Sequence, residues 1–213
     1  MPMVIAIDGP AASGKGTLAR RLARHFNLAH LESGLLYRAV ASRMLRDGSD
    51  PKNATEAEDA ARRIGFADLS DPALREEAVS TAASVVSAHP AVRAALVALQ
   101  REFAAHPPAG TQGVVIDGRD IGTVICPDAW VKIFLEASPE TRAKRRVGEL
   151  QQRGQEAISS RVLQDMKDRD ARDRDRRVSP LKPAEDAYIL DTTDLDEDGA
   201  FQAALTFIET RNK

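Results

Sequence analysis

Short, nearly unbroken apolar runs alternate along the chain with longer stretches in which apolar residues return every three or four positions. The runs are Met3–Asp8, Gly113–Asp117, Val131–Glu136 and Ala187–Asp191, with a briefer one near Leu28–Leu31. They are continuous and rich in β-branched residues, the pattern of parallel strands covered on both faces. Helical periodicity fills Gly16–Phe26, Leu35–Arg46, Pro90–Ala105, Pro139–Gln152, Ser159–Arg176 and Glu197–Thr210. Strands separated by helices predict an α/β protein with a parallel sheet and right-handed crossovers.

The spacing is uneven. Roughly eighty residues lie between Leu31 and Gly113, and they read as helical throughout, broken by turn residues at Asp47–Thr55 and Leu69–Pro72. A helical insertion between two sheet strands is expected to form a subdomain over the carboxyl edge, where open α/β sheets bind ligands.

Composition narrows the partners. Hydrophobic residues make up 43% of the 213 residues and aromatics 4%, so one substantial core built from Ala, Val, Ile and Leu is expected. The formal net charge of −2 lacks the basic footprint of a nucleic-acid binder. Arg161–Arg177 holds seven bases, but five acids nearly balance them. Cys126 is the only cysteine, which excludes an internal disulfide and a cysteine metal cluster. No apolar run approaches the ~18 residues of a membrane span, and the first residues lack a leader pattern, so a cytoplasmic protein without membrane contact is expected.

The chemistry begins at Gly9-Pro10-Ala11-Ala12-Ser13-Gly14-Lys15-Gly16-Thr17. Glycines spaced around a tight turn and followed by Lys let backbone N–H groups wrap a phosphate, and the following helix adds its positive end. A buried run before the loop and a periodic helix after it supply the required context. Lys15 is suited to the β- and γ-phosphates of ATP, and Thr17 to phosphate or to the waters of Mg²⁺. Gly16 stands where the strict pattern has Ser or Thr, so Thr17 is expected to bind without ligating the metal directly.

Three further segments carry charge to the sheet's carboxyl edge. Ser33-Gly34-Leu35-Leu36-Tyr37-Arg38 opens a helix, with Ser33 near its N-cap. Asp117-Gly118-Arg119-Asp120-Ile121-Gly122-Thr123 follows a buried strand; Asp117 suits a metal-bound water and Arg119 a phosphate. In Ser159–Arg176, Ile158, Val162, Met166, Arg169, Asp173 and Arg176 fall on one stripe, so the inward side of that helix turns charged toward its end. Such residues are expected to line a polar cavity. His25, His30, His89 and His106 fall in no motif and are expected at the surface or in structural roles.

Together with Ala82-Ala83-Ser84, Pro90-Ala91-Val92-Arg93, Val131-Lys132-Ile133-Phe134-Leu135 and Pro180-Leu181, these segments closely resemble the bacterial-type cytidylate kinase family, in its order and across nearly the whole chain. The resemblance implies a P-loop kinase fold: a five-stranded parallel core in a single 1–213 domain, a monophosphate-binding insertion at about 33–110 and a lid at about 148–160. It implies phosphorylation of CMP and dCMP with ATP and Mg²⁺. The family's nucleotide contacts fall on Ser33, Arg38, Ser84, Arg93, Arg119, Asp120, Arg169, Asp173 and Arg176. Lys15, Arg119, Arg169 and Arg176 are the expected catalytic set, and Asp117 and Thr17 the residues that reach the metal through water. Arg142, Arg145 and Arg146 at the lid's base are candidates for adenine or the ATP phosphates. A monomer is expected. Two departures stand out. Glu32 occupies a position where many members carry Asp, and Phe66–Ala78 replaces a longer β-rich segment. Another small-molecule kinase on this scaffold, for UMP or AMP, is the alternative. The absence of an Asn-Lys-x-Asp segment argues against a GTPase.

Overall fold

A computed structural model describes residues 2–211. The chain runs β1 (Met3–Asp8), α1 (Lys15–His25), β2 (Ala29–Glu32), α2 (Gly34–Arg46), α3 (Ala54–Ala61), α4 (Glu77–Val86), α5 (Pro90–Ala105), β3 (Gly113–Gly118), β4 (Val131–Glu136), α6 (Pro139–Gln152), α7 (Ser159–Asp175), β5 (Tyr188–Asp191) and α8 (Glu197–Thr210). The five strands form one sheet in the order β2-β3-β1-β4-β5. β1 sits at its centre, parallel to β3 with Ile7 opposite Asp117, and parallel to β4 with Asp8 opposite Phe134.

Contacts divide the chain into two compact units, one of Met1–Leu31 with Pro107–Lys213 and one of Glu32–His106. The first contains the sheet. Its core joins Ile5 and Ile7 of β1, Val115 of β3 and Ile133 of β4 to Leu18 and Leu22 of α1 and Ala204 and Ile208 of α8. Burying each large apolar side chain contributes about 1.5–3 kcal/mol, and the central strands take that on both faces. Loops leaving β1, β3, β4 and β5 all emerge at the sheet's carboxyl edge.

The second unit is helical. Its core relies on small residues, with Ala41, Ala57, Ala60, Ala61, Ala82 and Ala83 around Leu36, Val40, Met44, Val86, Val92 and Leu96. The Asn53 side chain caps α3 by accepting from Thr55 and Glu56 N–H, and Pro90 starts α5. The segment Phe66–Ala78 forms no strand. It makes two single 3₁₀ turns, Phe66–Ser70 and Pro72–Arg75, and then opens α4. Among the described residues no single helix is long and apolar enough to cross a membrane.

Candidate active site

The loop from Gly9 to Thr17 joins β1 to α1, and its shape depends on glycine at two points. A side chain at Gly9 would collide with the Leu135 carbonyl of β4. Gly14, the N-cap of α1, has φ 92°, in the left-handed region. In such a loop the N–H groups face a phosphate, which leaves carbonyls facing the protein. Here three of those carbonyls are held by side chains. Lys15 Nζ donates to Pro10 O at 2.6 Å, Arg142 to Ala11 O at 3.3 Å and the Thr192 hydroxyl to Ser13 O at 3.2 Å. Thr17 Oγ1 accepts from Arg20.

Asp8, the last residue of β1, ties this loop to the next. Its two carboxyl oxygens accept from the Ile121 and Gly122 N–H groups at 2.8 and 2.7 Å. They close the turn after Asp120, a single π-type turn over Ile121–Ile125. Burial pushes the Asp8 carboxyl up to about 7; the two amide bonds oppose the shift and Asp120 adds to it. Asp117, at the end of β3, meets His30 Nε2 at 2.6 Å. His30, expected in a surface or structural role, therefore touches a residue of the site.

Arg119 donates to Asp173 of α7 at 2.9 Å, and Arg176 lies 3.6 Å from the same carboxylate. Although burial raises the Asp173 pKa, Arg119, Arg176 and Arg169 hold the carboxyl below its ordinary range. Lys15 feels the same cations. Burial, with Arg119 and Arg169 adding to it, lowers its ammonium to about 7, while Asp117 and Asp8 pull the other way. Lys15, Asp117, Arg119, Arg169, Asp173 and Arg176 thus form one electrostatic cluster in the sheet unit.

The stripe on α7 holds from Val162 to Asp173, but its first member does not. Ile158 is 68% exposed, because it precedes the helix as its N-cap. Arg176 lies just past the helix, whose last residue is Asp175. The chain then folds back, and Leu181 N–H donates to Asp173 O at 2.8 Å.

In the helical unit, Ser33 is the buried N-cap of α2, but its hydroxyl makes no cap bond. Arg38, one turn in, donates to Leu74 O at 3.1 Å and to Ser80 Oγ at 3.4 Å. Ser84 is buried on α4. Arg93, buried in the first turn of α5, donates to Ser87 O at 3.4 Å and lies over the Tyr37 ring. Glu32 pairs with Arg75 at 3.2 Å.

Two of the lid-base arginines are engaged by groups of the protein itself. Arg142 is buried, and besides Ala11 O it bonds Ala137 O and the Asp170 carboxylate. Arg145 donates to Thr192 Oγ1, Thr192 O and Leu195 O, securing the loop after β5. Both hold protein groups. Arg146 lies against Glu149. Asp8, Asp170 and Thr192 are site residues that the sequence reading assigned no role. Asp8 and Thr192 carried a signal, since each sits at the carboxyl end of a parallel strand.

The family model for cytidylate kinase matches residues 5–210. The chain belongs to the cytidylate kinase family. A cytidylate kinase of Rhodopseudomonas palustris (strain TIE-1) is 56% identical over 207 residues, covering 97% of this chain and 96% of its own. One from Paramagnetospirillum magneticum (strain ATCC 700264 / AMB-1) is 54% identical over 211 residues, covering 99% and 100%. Among solved structures, a shikimate kinase from Bacteroides thetaiotaomicron is similar at 14% identity with a TM-score of 0.52, covering 98% of this chain and 99% of its own. A gluconokinase from Sinorhizobium meliloti 1021 is similar at 14% identity and a TM-score of 0.51, covering 98% and 93%. At that identity the two structures establish the P-loop kinase fold alone.

Proposed function

We propose that the chain transfers the γ-phosphoryl group of ATP to CMP and dCMP, giving CDP and dCDP in cytoplasmic pyrimidine nucleotide metabolism. Near-full-length membership of the cytidylate kinase family carries this reading. The charged cluster around Lys15 agrees with it.

An oxygen of the CMP phosphate attacks the γ-phosphorus as the bond to the β-phosphate oxygen breaks, and ADP leaves. The attacking oxygen already carries negative charge, so no general base is needed. The protein's work is positioning and electrostatics. Gly9–Thr17 cradles the ATP phosphates, and Lys15 exchanges Pro10 O for phosphate oxygens. Ser33, Arg38, Ser84, Arg93, Arg119, Asp120, Asp173 and Arg176 are the residues that bind the monophosphate in this reading. Arg119, Arg169 and Arg176 stabilise the charge on the transferring group. The segment 148–160 acts as a lid that excludes water, which would otherwise accept the phosphoryl group.

Among the described residues no group of three His, Cys, Asp or Glu is gathered to hold a metal. The oxygen donors at hand suit Mg²⁺, a hard cation that keeps several waters and binds largely through substrate phosphates. Asp117 and Thr17 would reach it through water, and when bound it neutralises phosphate charge. The enzyme acts as a monomer on these small molecules, without nucleic acid or membrane.

The test is a coupled ADP-release assay with ATP-Mg²⁺ and CMP, dCMP, UMP and AMP offered separately. Turnover with CMP and dCMP is expected. Preference for UMP or AMP would assign the alternative kinase activity.

A further inference from the structure

Arg142 and Asp170 take no part in the proposed phosphoryl transfer, yet they form the most deeply buried ion pair described in the sheet unit. Their side chains are 2% and 5% exposed and 2.7 Å apart. Taking two charges out of water costs several kcal/mol per ion, and apolar residues of similar volume often serve stability as well or better. This pair is also imperfect as a stabilising device. Asp170 Oδ1 is buried with no hydrogen-bond partner among the described residues, a penalty that a pair retained for stability alone would avoid.

What distinguishes the pair is the set of groups it joins. Arg142 donates through Nε to Ala137 O, where β4 turns into α6, at 3.0 Å. Through one terminal nitrogen it reaches Ala11 O, on the outer side of the phosphate loop, at 3.3 Å. Its other terminal nitrogen holds Asp170 of α7. Asp170 lies next to Arg169 and one turn before Asp173. A planar guanidinium can serve three directions at fixed angles, which a lysine cannot.

We infer that Arg142 and Asp170 are positioning residues: their buried pair sets α7, and with it Arg169 and Asp173, in register with the phosphate loop that carries Lys15. This rests on the phosphoryl-transfer reading above. The pair is spent on protein groups. It acts by fixing the distance between the cation that holds the donor phosphates and the groups on α7 that meet the transferring phosphoryl, where an ångström of misplacement can cost about a hundredfold in rate.

The experiment compares the full-length wild type with Arg142→Met/Asp170→Leu, which removes both charges without stranding either. Wild-type turnover of CMP checks the reading on which the inference depends; the ratio of variant to wild type checks the pair. We expect the double variant to melt within a few degrees of wild type, kcat to fall about 10- to 100-fold and the KM for ATP to rise. A double variant that melts normally and keeps wild-type kcat and KM for ATP would overturn the inference. Should it fail to fold, Asp170→Asn decides instead. That variant keeps the shape and one oxygen for Arg142 but cancels the charge, so a several-fold loss of kcat at unchanged circular dichroism is expected, and unchanged kcat would overturn the inference.

Discussion

In the sheet unit Arg119, Arg176 and Arg142 meet carboxylates, and in the helical unit Arg38 and Arg93 donate to carbonyl and hydroxyl oxygens. Arg119 and Arg176 share Asp173, and Arg142 holds Asp170. Arg38 instead donates to the Leu74 carbonyl and the Ser80 hydroxyl, and Arg93 to the Ser87 carbonyl beneath the Tyr37 ring. A guanidinium binds an ionised acceptor more strongly than a carbonyl or hydroxyl oxygen. An arginine that trades a carbonyl for a phosphate oxygen therefore gains at once, in the ground state. One already paired with a carboxylate gains little until extra negative charge develops. Under the proposed function, Arg38 and Arg93 are therefore expected to act mainly in binding, and Arg119 and Arg176 to add their largest effect in the transition state.

The largest expected effects test that division. Lys15→Ala and Arg176→Ala should each lower kcat by about 10³–10⁵, about 4–7 kcal/mol, while circular dichroism and melting remain those of a folded protein. Arg38→Gln should act mainly through the KM for CMP. If Arg176→Ala kept near-normal kcat and raised only the KM for CMP, the contrast between the units would fail.

A smaller effect follows from Lys15. Its ammonium is lowered to about 7 by burial and by Arg119 and Arg169. On that value Lys15 is expected to be largely neutral above about pH 7 in the free enzyme and to regain its charge beside the phosphates of ATP. ATP binding should then take up a proton, and affinity should fall as pH rises from about 7.5 to 9, by at most about tenfold per unit. Titration calorimetry in two buffers of different ionisation enthalpy measures the proton directly. Arg119→Gln removes a cation beside Lys15, so the onset should move to higher pH. No proton uptake at pH 8 would show that Lys15 keeps its charge in the free enzyme.

Much of this was legible in the sequence, for identifiable reasons. Short continuous apolar runs rich in β-branched residues favour strands buried on both faces, and β1 and β4 matched their expected bounds; Pro at the first position marked the starts of α5 and α6. In the insertion, α3 and α4 were not set apart from the general helical pattern, because helices of eight and ten residues span too few turns for a period to stand out. The stripe of α7 located Met166, Arg169 and Asp173 but passed over Asp170, which is buried beside them. In a run of alternating Arg and Asp, periodicity cannot say which acid finds a buried partner 28 positions earlier, at Arg142. Nor could it show that Arg142 would spend its donors on carbonyls, since backbone acceptors leave no trace in side-chain pattern.

The smallest expected effect lies in the helical unit, at Glu32. Its carboxylate meets Arg75 at 3.2 Å, with side chains 23% and 50% exposed. An ion pair so wet is worth at most about 1 kcal/mol and is screened by salt, so Glu32→Asp should barely move the melting temperature. Its interest is geometric. Arg75 ends the Pro72–Arg75 turn, and that turn presents the Leu74 carbonyl to Arg38. At its other end Asp71 caps the turn and meets Arg46 at 3.5 Å. The turn is thereby tied to α2 through Arg46 at one end and to the last residue of β2, Glu32, at the end nearer Arg38. The aspartate, one methylene shorter, should release that end and loosen the rest position of Arg38. We expect a KM for CMP about two- to fivefold higher in Glu32→Asp at unchanged kcat, in the range of a lost exposed pair. The difference from wild type should vanish in high salt, where the wild-type pair is also lost. A change in kcat instead would mean that Glu32 reaches the transferring group, and would draw the helical unit into the transition state after all.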